Sequence, residues 1–204
     1  MLKKPLFIVL AVLATAAVFA AFSIVPEAVE IGKPAPNFTL KGIDGKEYSL
    51  ADFKGKVVVL EWTNPNCPFV QRVYKSGIMT SVQKKYADKV VWLAVNSTHP
   101  DHQDHETAEA LAKTYNEWSA TFTTMLLDPD GSVGKTFDAK TTPHMYIIDK
   151  DGRLVYAGGI DDDPRGNKSE RVNYVDQALT ELLGGKAITT ATSRPYGCSV
   201  KYSS

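Results

Sequence analysis

The sequence predicts an α/β protein, a three-layer fold with a mixed central β-sheet flanked by helices. Two observations carry this. The β-branched apolar runs 57–62 (VVVLEW) and 90–95 (VVWLAV) read as strands buried on both faces, with a stretch of helical spacing between them. A second strand–helix pair, a β-hairpin and a last helix then follow, an order that puts helices on both sides of one sheet.

The elements can be justified in turn. Strand signals begin at Asn37 with FTLKG, a turn at Asp44-Gly45, then EYSL. VVVLEW is bounded by Gly55-Lys56 and by Asn64-Pro65. The segment 67–88 (CPFVQRVYKSGIMTSVQKKYAD) has the spacing of one helix, with Pro68 suited to its first turn. After VVWLAV, a polar loop rich in histidine and aspartate opens a helix over 106–119, and MLLD is a short strand. TTPHMYIID and RLVYAGG form a hairpin turning at Lys150-Asp151-Gly152. Residues 167–183 read as a helix with Val172, Val175, Leu179 and Leu182 on one face, stopped by Gly184-Gly185.

Domain organisation follows from the same reading. Residues 37–185 form one domain, 26–36 a proline-bearing linker, and 186–204 a polar tail, mobile by composition, that carries Cys198. Residues 1–25 stand apart: Lys3 and Lys4 precede an uncharged run over 6–25, about the length of a bilayer-spanning helix. This fits a secretory signal cleaved after Val18-Phe19-Ala20 and fits an uncleaved anchor, with Glu27 and Glu30 on the far side. Both readings put the domain across the cytoplasmic membrane, periplasmic or held to its outer face. The 23 basic and 23 acidic side chains balance, which argues against nucleic acid or an anionic surface as a partner. No cofactor motif is present.

The chain has two cysteines, Cys67 and Cys198, enough for one bridge in an oxidising compartment and too few for a disulfide scaffold. Cys67 falls at the start of a helix, where unpaired N–H groups and the macrodipole favour a thiolate. Cys198 is its available partner, as a resolving thiol or as a permanent staple, the third reading being that the two never meet. Such a bridge would constrain the unfolded chain by about 5 kcal/mol. Glu61 interrupts VVVLEW and reads either as a buried proton-transfer group or as an outward residue at the strand's end. His99, Asp101, His102, Asp104 and His105 make a dense cluster, so His99, His102 and His105 are candidate metal ligands, against the plainer reading of a solvated loop capping the next helix.

A cysteine between the first central strand and its helix resembles the thioredoxin superfamily, over 31–185. More closely, IGKPAPNFTLKGIDGKEYSLADFKGKVVVLEW, WTNPNCPFVQRVY, KTTPHMYIIDKDG and RPYGCSVKY resemble a peroxiredoxin-like branch of the redoxin family of alkyl hydroperoxide reductases and thiol-specific antioxidants. The resemblance implies a thioredoxin-like fold and a thiol-dependent oxidoreductase. Its nucleophile would be Cys67, acting on a peroxide or a protein disulfide, with Cys198 resolving and a thiol reductant restoring both. It also implies that Pro143, after Thr142, is a cis proline that docks substrate backbone. On the residues themselves, Trp62 is placed to shield the thiol, and His144, next to that proline, either stabilises the thiolate or faces away. Two departures limit the chemistry. Val70 stands where thioredoxins carry a second cysteine, and Asn64 where peroxiredoxins carry a threonine, with Thr63 one position back. They leave open a fold-retaining binding module without redox chemistry, and metal delivery as a remoter reading.

Overall fold

A computed structural model describes residues 29–203. The segment 1–25, assigned above to export or anchoring, lies outside the described residues. Among those described, no helix is long and apolar enough to cross a membrane.

The sheet is built on two neighbouring strands. β3 (Val57–Trp62) and β4 (Val90–Asn96) are buried along their whole length and run parallel, Val57 opposite Val90 through Trp62 opposite Val95. Branched apolar side chains on both faces of both strands make this the floor of two cores. β5 (Thr124–Leu127) continues the parallel set beyond β4. β1 (Thr39–Gly42) and β2 (Glu47–Ser49) add an antiparallel hairpin outside it. On the other side, β7 (His144–Ile148) lies antiparallel to β3, and β8 (Leu154–Gly158) pairs with β7, giving the order β2-β1-β5-β4-β3-β7-β8.

Helices α1 (Pro68–Lys75), α2 (Ile78–Tyr86) and α5 (Tyr174–Leu183) cover one face, where Val59, Val73, Met79, Ile147 and Leu179 meet. The short α4 (Ser132–Thr136) and a single 3-10 turn at Leu50–Phe53 cover the other, with Leu60, Trp62, Phe137 and Tyr146 at its centre. α3 (Ala108–Glu117) buries Leu111 and Tyr115, and Thr107 caps it by accepting the Ala110 N–H.

The sequence and the structure differ in three places. The single helix expected over 67–88 is two helices, because Gly77 adopts φ 77°, a left-handed geometry that only glycine enters at no cost. The helix expected from 167 begins at Tyr174 with Asn173 as its cap, so Val172 lies outside it and is exposed. The third is the tail. It is not loose: Cys198–Ser199 form β9, antiparallel to β6 (Thr141–Thr142), with Thr142 opposite Cys198. Further hydrogen bonds run from Val200 N–H to the Lys140 carbonyl and from Tyr202 Oη to the Ala139 carbonyl, so the tail is part of the domain.

Candidate active site

Cys67 closes the loop between β3 and α1. Pro65 and Pro68 bracket it, and Cys67 itself is the helix cap, with an extended backbone (φ −82°, ψ 121°) and Pro68 next in the first turn. The preceding loop is pinned by amides. Asn64 accepts the Asn66 N–H at 2.7 Å and donates to Thr98 Oγ1 at 2.8 Å. Asn66 donates to Glu106 Oε1 at 3.0 Å, and Asn96 donates to the Thr63 carbonyl at 3.2 Å. The sulfur is therefore fixed in place, only 2 % exposed, and its thiol donates to the Thr142 carbonyl at 3.0 Å. The Thr142–Pro143 bond is cis.

Cys198 arrives beside it on β9. Both cysteines are free thiols. Their surroundings make them unequal. Burial works against a charged Cys67 sulfur. Hydrogen bonds from the Cys198 thiol, the Thr142 hydroxyl and the Val70 and Cys198 N–H groups outweigh it and hold Cys67 below the ordinary thiol value. The Thr142 hydroxyl is buried with no other group to bond among the described residues, so its O–H is available to the Cys67 sulfur as that ionises. Cys198 is pushed up to about 12, first by burial and then by the Cys67 sulfur next to it. One thiol is poised as the thiolate and its neighbour as the proton-bearing donor.

The other sequence candidates fall in different places. Glu61 points inward and is completely buried. Its carboxylate accepts Tyr74 Oη at 2.8 Å, Trp92 Nε1 at 2.8 Å and Gln83 Nε2 at 3.3 Å, and burial outweighs these donors, raising its pKa to about 7. Tyr74 packs edge-on against Tyr115, whose hydroxyl meets Thr63 Oγ1 at 2.6 Å, so this polar core underlies the loop before Cys67 without touching the sulfur. The expectation for Trp62 is corrected. As the neighbour of Glu61 in a strand it faces the opposite side, packing on Phe137 and Tyr146 and donating to Ser97 Oγ at 3.0 Å, away from the thiol. His144 takes the outward alternative. It stacks on Tyr146, its Nδ1 lies 3.0 Å from that hydroxyl, and burial lowers its pKa to about 4. The metal reading of the histidine loop is also corrected. His99 and His102 accept the N–H of Asp101 and Asp104 on their Nδ1 atoms in successive tight turns. No three metal-binding side chains converge among the described residues.

A further group of residues, with no assignable role in the sequence alone, lies next to Cys198 in the chain. An open cleft of about 700 Å³ is lined by Phe69, Thr141, Asp161, Tyr174, Tyr196 and Gly197 among others, the last of these next in the chain to Cys198. Tyr196 and Gly197 belong to the RPYGCSVKY motif, the one sequence signal that marks them. Gly197 has φ 140°, and a Cβ there would run into the Thr142 carbonyl.

A buried thiol at a helix start, set on a mixed sheet, defines the class: a thioredoxin-fold oxidoreductase. The profile of the AhpC/TSA family matches residues 31–157, more than half the chain, and the chain belongs to that family. It is 33 % identical over 124 residues to the thioredoxin-like protein YneN of Bacillus subtilis, covering 61 % of this chain and 68 % of that protein. It is 30 % identical over 129 residues to the thiol-disulfide oxidoreductase ResA of Bacillus thuringiensis subsp. konkukian, covering 63 % and 69 %. Among solved structures it resembles an uncharacterized conserved protein from Geobacillus kaustophilus, with TM-score 0.76 and 31 % identity over 85 % of this chain and 93 % of that one.

Proposed function

We propose that this chain is an exported thiol-disulfide oxidoreductase with Cys67 as nucleophile and Cys198 as resolving cysteine. The observation that carries the reading is the pair of unequal thiols, one lowered and one raised, side by side at a helix start. In the first step the Cys67 thiolate attacks one sulfur of a substrate disulfide. That S–S bond breaks, the distal substrate sulfur leaves as a thiolate, and a Cys67–substrate disulfide remains. The bond to Cys67 removes the neighbouring negative charge that helped to raise Cys198, which then ionises more readily and attacks the Cys67 sulfur. The Cys67–Cys198 bridge forms and the second substrate thiolate leaves, so two electrons have passed to the substrate. A thiol reductant reverses the bridge.

Disulfide exchange is favoured over peroxide reduction. Asn64 stands at the position of the peroxiredoxin threonine, and its side chain is committed to Thr98 and to the Asn66 N–H rather than to the sulfur. The ResA likeness supports the same choice. Export rests on Lys3, Lys4 and the apolar run over 6–25.

The test is turnover of insulin disulfides and of hydrogen peroxide by wild type, Cys67→Ser and Cys198→Ser. Cys67→Ser should abolish disulfide turnover. Cys198→Ser should accumulate a mixed disulfide visible by mass spectrometry, and should raise the Cys67 pKa in an iodoacetamide titration. Undiminished activity of Cys67→Ser on both substrates would overturn the reading.

A further inference from the structure

The ladder that brings Cys198 to Cys67 is two residues long, Thr141–Thr142 against Cys198–Ser199. A pairing that short does not hold itself together in water, so the position of the resolving sulfur must be set from outside the ladder. The tail is gripped on both sides of the cysteine. Downstream, the Tyr202 ring lies on Gly131 and Gly134, where any side chain would collide with it. Upstream, Tyr196 enters a buried ionic group that plays no part in the steps described above.

That group joins three parts of the fold. Arg72 projects from α1, the helix that Cys67 caps, and its Nη2 donates to Tyr196 Oη at 2.8 Å. Tyr196 Oη in turn donates to Asp161 Oδ1 at 2.5 Å. Asp161 is 1 % exposed, accepts the Asp163 N–H at 3.0 Å, and pairs with Arg171 at 3.4 Å. The Tyr196 ring packs on Phe69, and the Arg72 guanidinium lies 5.7 Å from its centroid. Arg72 Nε and Nη1 are buried with no acceptor, so Tyr196 Oη is the one hydrogen-bond partner of this guanidinium among the described residues. The same Nη2 lies 3.9 Å from Asp161 Oδ1, so the half-buried guanidinium meets its carboxylate chiefly through the tyrosine hydroxyl set between them. What the arrangement achieves is a link between the helix of the nucleophile and the strand of the resolver, made two residues before Cys198.

We propose that Tyr196, held between Arg72 and Asp161, is a positioning residue for the resolving step. Resting on the two-cysteine reading above, the proposal assigns to Tyr196 the effective concentration of Cys198 at the Cys67 sulfur. The resolving bond itself is unchanged: Cys198 attacks Cys67, the substrate sulfur leaves as thiolate, and no further reactant is needed. With the tyrosine hydroxyl gone, the tail spends most of its time off the Thr141–Thr142 edge and the attack is rarer.

The experiment uses the full chain in glutathione redox buffers, with Tyr196→Phe keeping the ring and removing the hydroxyl. Loss of a hydrogen bond to charged groups should lower the effective concentration on the order of tenfold or more, raising the reduction potential of the Cys67–Cys198 bridge by about 30 mV per tenfold. The Cys67 pKa should rise toward that of Cys198→Ser, because its neighbouring thiol has left. In a Cys198→Ala background, which lacks the resolving sulfur, the same change should leave the first-step reaction of Cys67 with an aromatic disulfide unaltered at a pH where Cys67 is fully ionised, which a general loosening of the site would not. Arg72→Gln, which keeps the Asp161–Arg171 pair, should shift the potential in the same direction and serves if Tyr196→Phe does not fold. A folded variant with an unchanged potential overturns the proposal. A wild-type chain that never forms the bridge in oxidising buffer overturns the two-cysteine reading itself, and the proposal with it.

Discussion

Glu61 offers the sharpest test of the energetics beneath the site. Its carboxyl is completely buried in the middle of β3, and burial raises its pKa from 4.5 to about 7 despite three donors. The folded state thus binds this proton more tightly than the unfolded chain does. The stability it contributes is full below pH 4.5 and is lost as pH rises to about 7. At 1.36 kcal/mol per unit, the loss amounts to about 3 kcal/mol. Glu61→Gln removes the titration while keeping the shape. Urea unfolding followed by tryptophan fluorescence should show the variant gaining about 3 kcal/mol on wild type between pH 4.5 and 7.5. Any pH-independent cost of the amide, such as its clash of donors with Gln83, cancels in this difference. Parallel pH profiles for the two proteins would refute the reasoning, since they would mean that Glu61 ionises as easily folded as unfolded.

Two further outcomes follow from neighbouring residues. Burial lowers His144 from 6.5 to about 4, so its contribution is present above pH 6.5 and lost as pH falls toward 4; His144→Gln should gain about 3 kcal/mol on wild type over that range, the mirror image of Glu61→Gln, and identical slopes would exclude it. Gly197→Ala places a Cβ against the Thr142 carbonyl at φ 140°. It should cost about 1–3 kcal/mol, and alkylation of Cys198 in the reduced protein should approach the rate of an unstructured thiol.

The strands were legible because β3 and β4 are buried on both faces, which leaves an unbroken apolar signature. Cys67 was legible for a similar reason, since Asn64, Pro65, Asn66 and Pro68 mark a loop turning into a helix. What was missed depended on tertiary contact or on competing local bonds. β9 exists only because Thr141–Thr142 lies across from it. The false helical start at 167 fails because Asp163 accepts the N–H groups of Asn167 and Lys168, and Asp162 that of Val172, closing turns that a helix cannot contain. Trp62 was within reach of the sequence. Adjacent strand residues face opposite ways, so Glu61 and Trp62 could not both serve the same side. Of the Arg72–Tyr196–Asp161 group only Tyr196 lies in a motif, and nothing in the sequence pairs it with Arg72 or Asp161, which the fold alone brings to it.

The tail does one more thing on its way to Cys198. β8 is the outermost strand on its side, and segment 191–193 hydrogen-bonds along it, with Ala157 N–H donating to the Ala191 carbonyl and Ser193 N–H to the Ala157 carbonyl. The lead-in does the same further up, through Gly32 and Lys33 with Leu154 and Ala35 with Gly152. Both plugs occupy main-chain groups that would otherwise template pairing with another molecule. Deleting the tail to remove Cys198 would therefore also bare a strand edge and invite aggregation, so a point substitution of Cys198 and a truncation are not equivalent changes. Residues beyond Pro195 lie clear of this edge, so the covering of β8 and the placing of Cys198 fall to separate stretches of one tail.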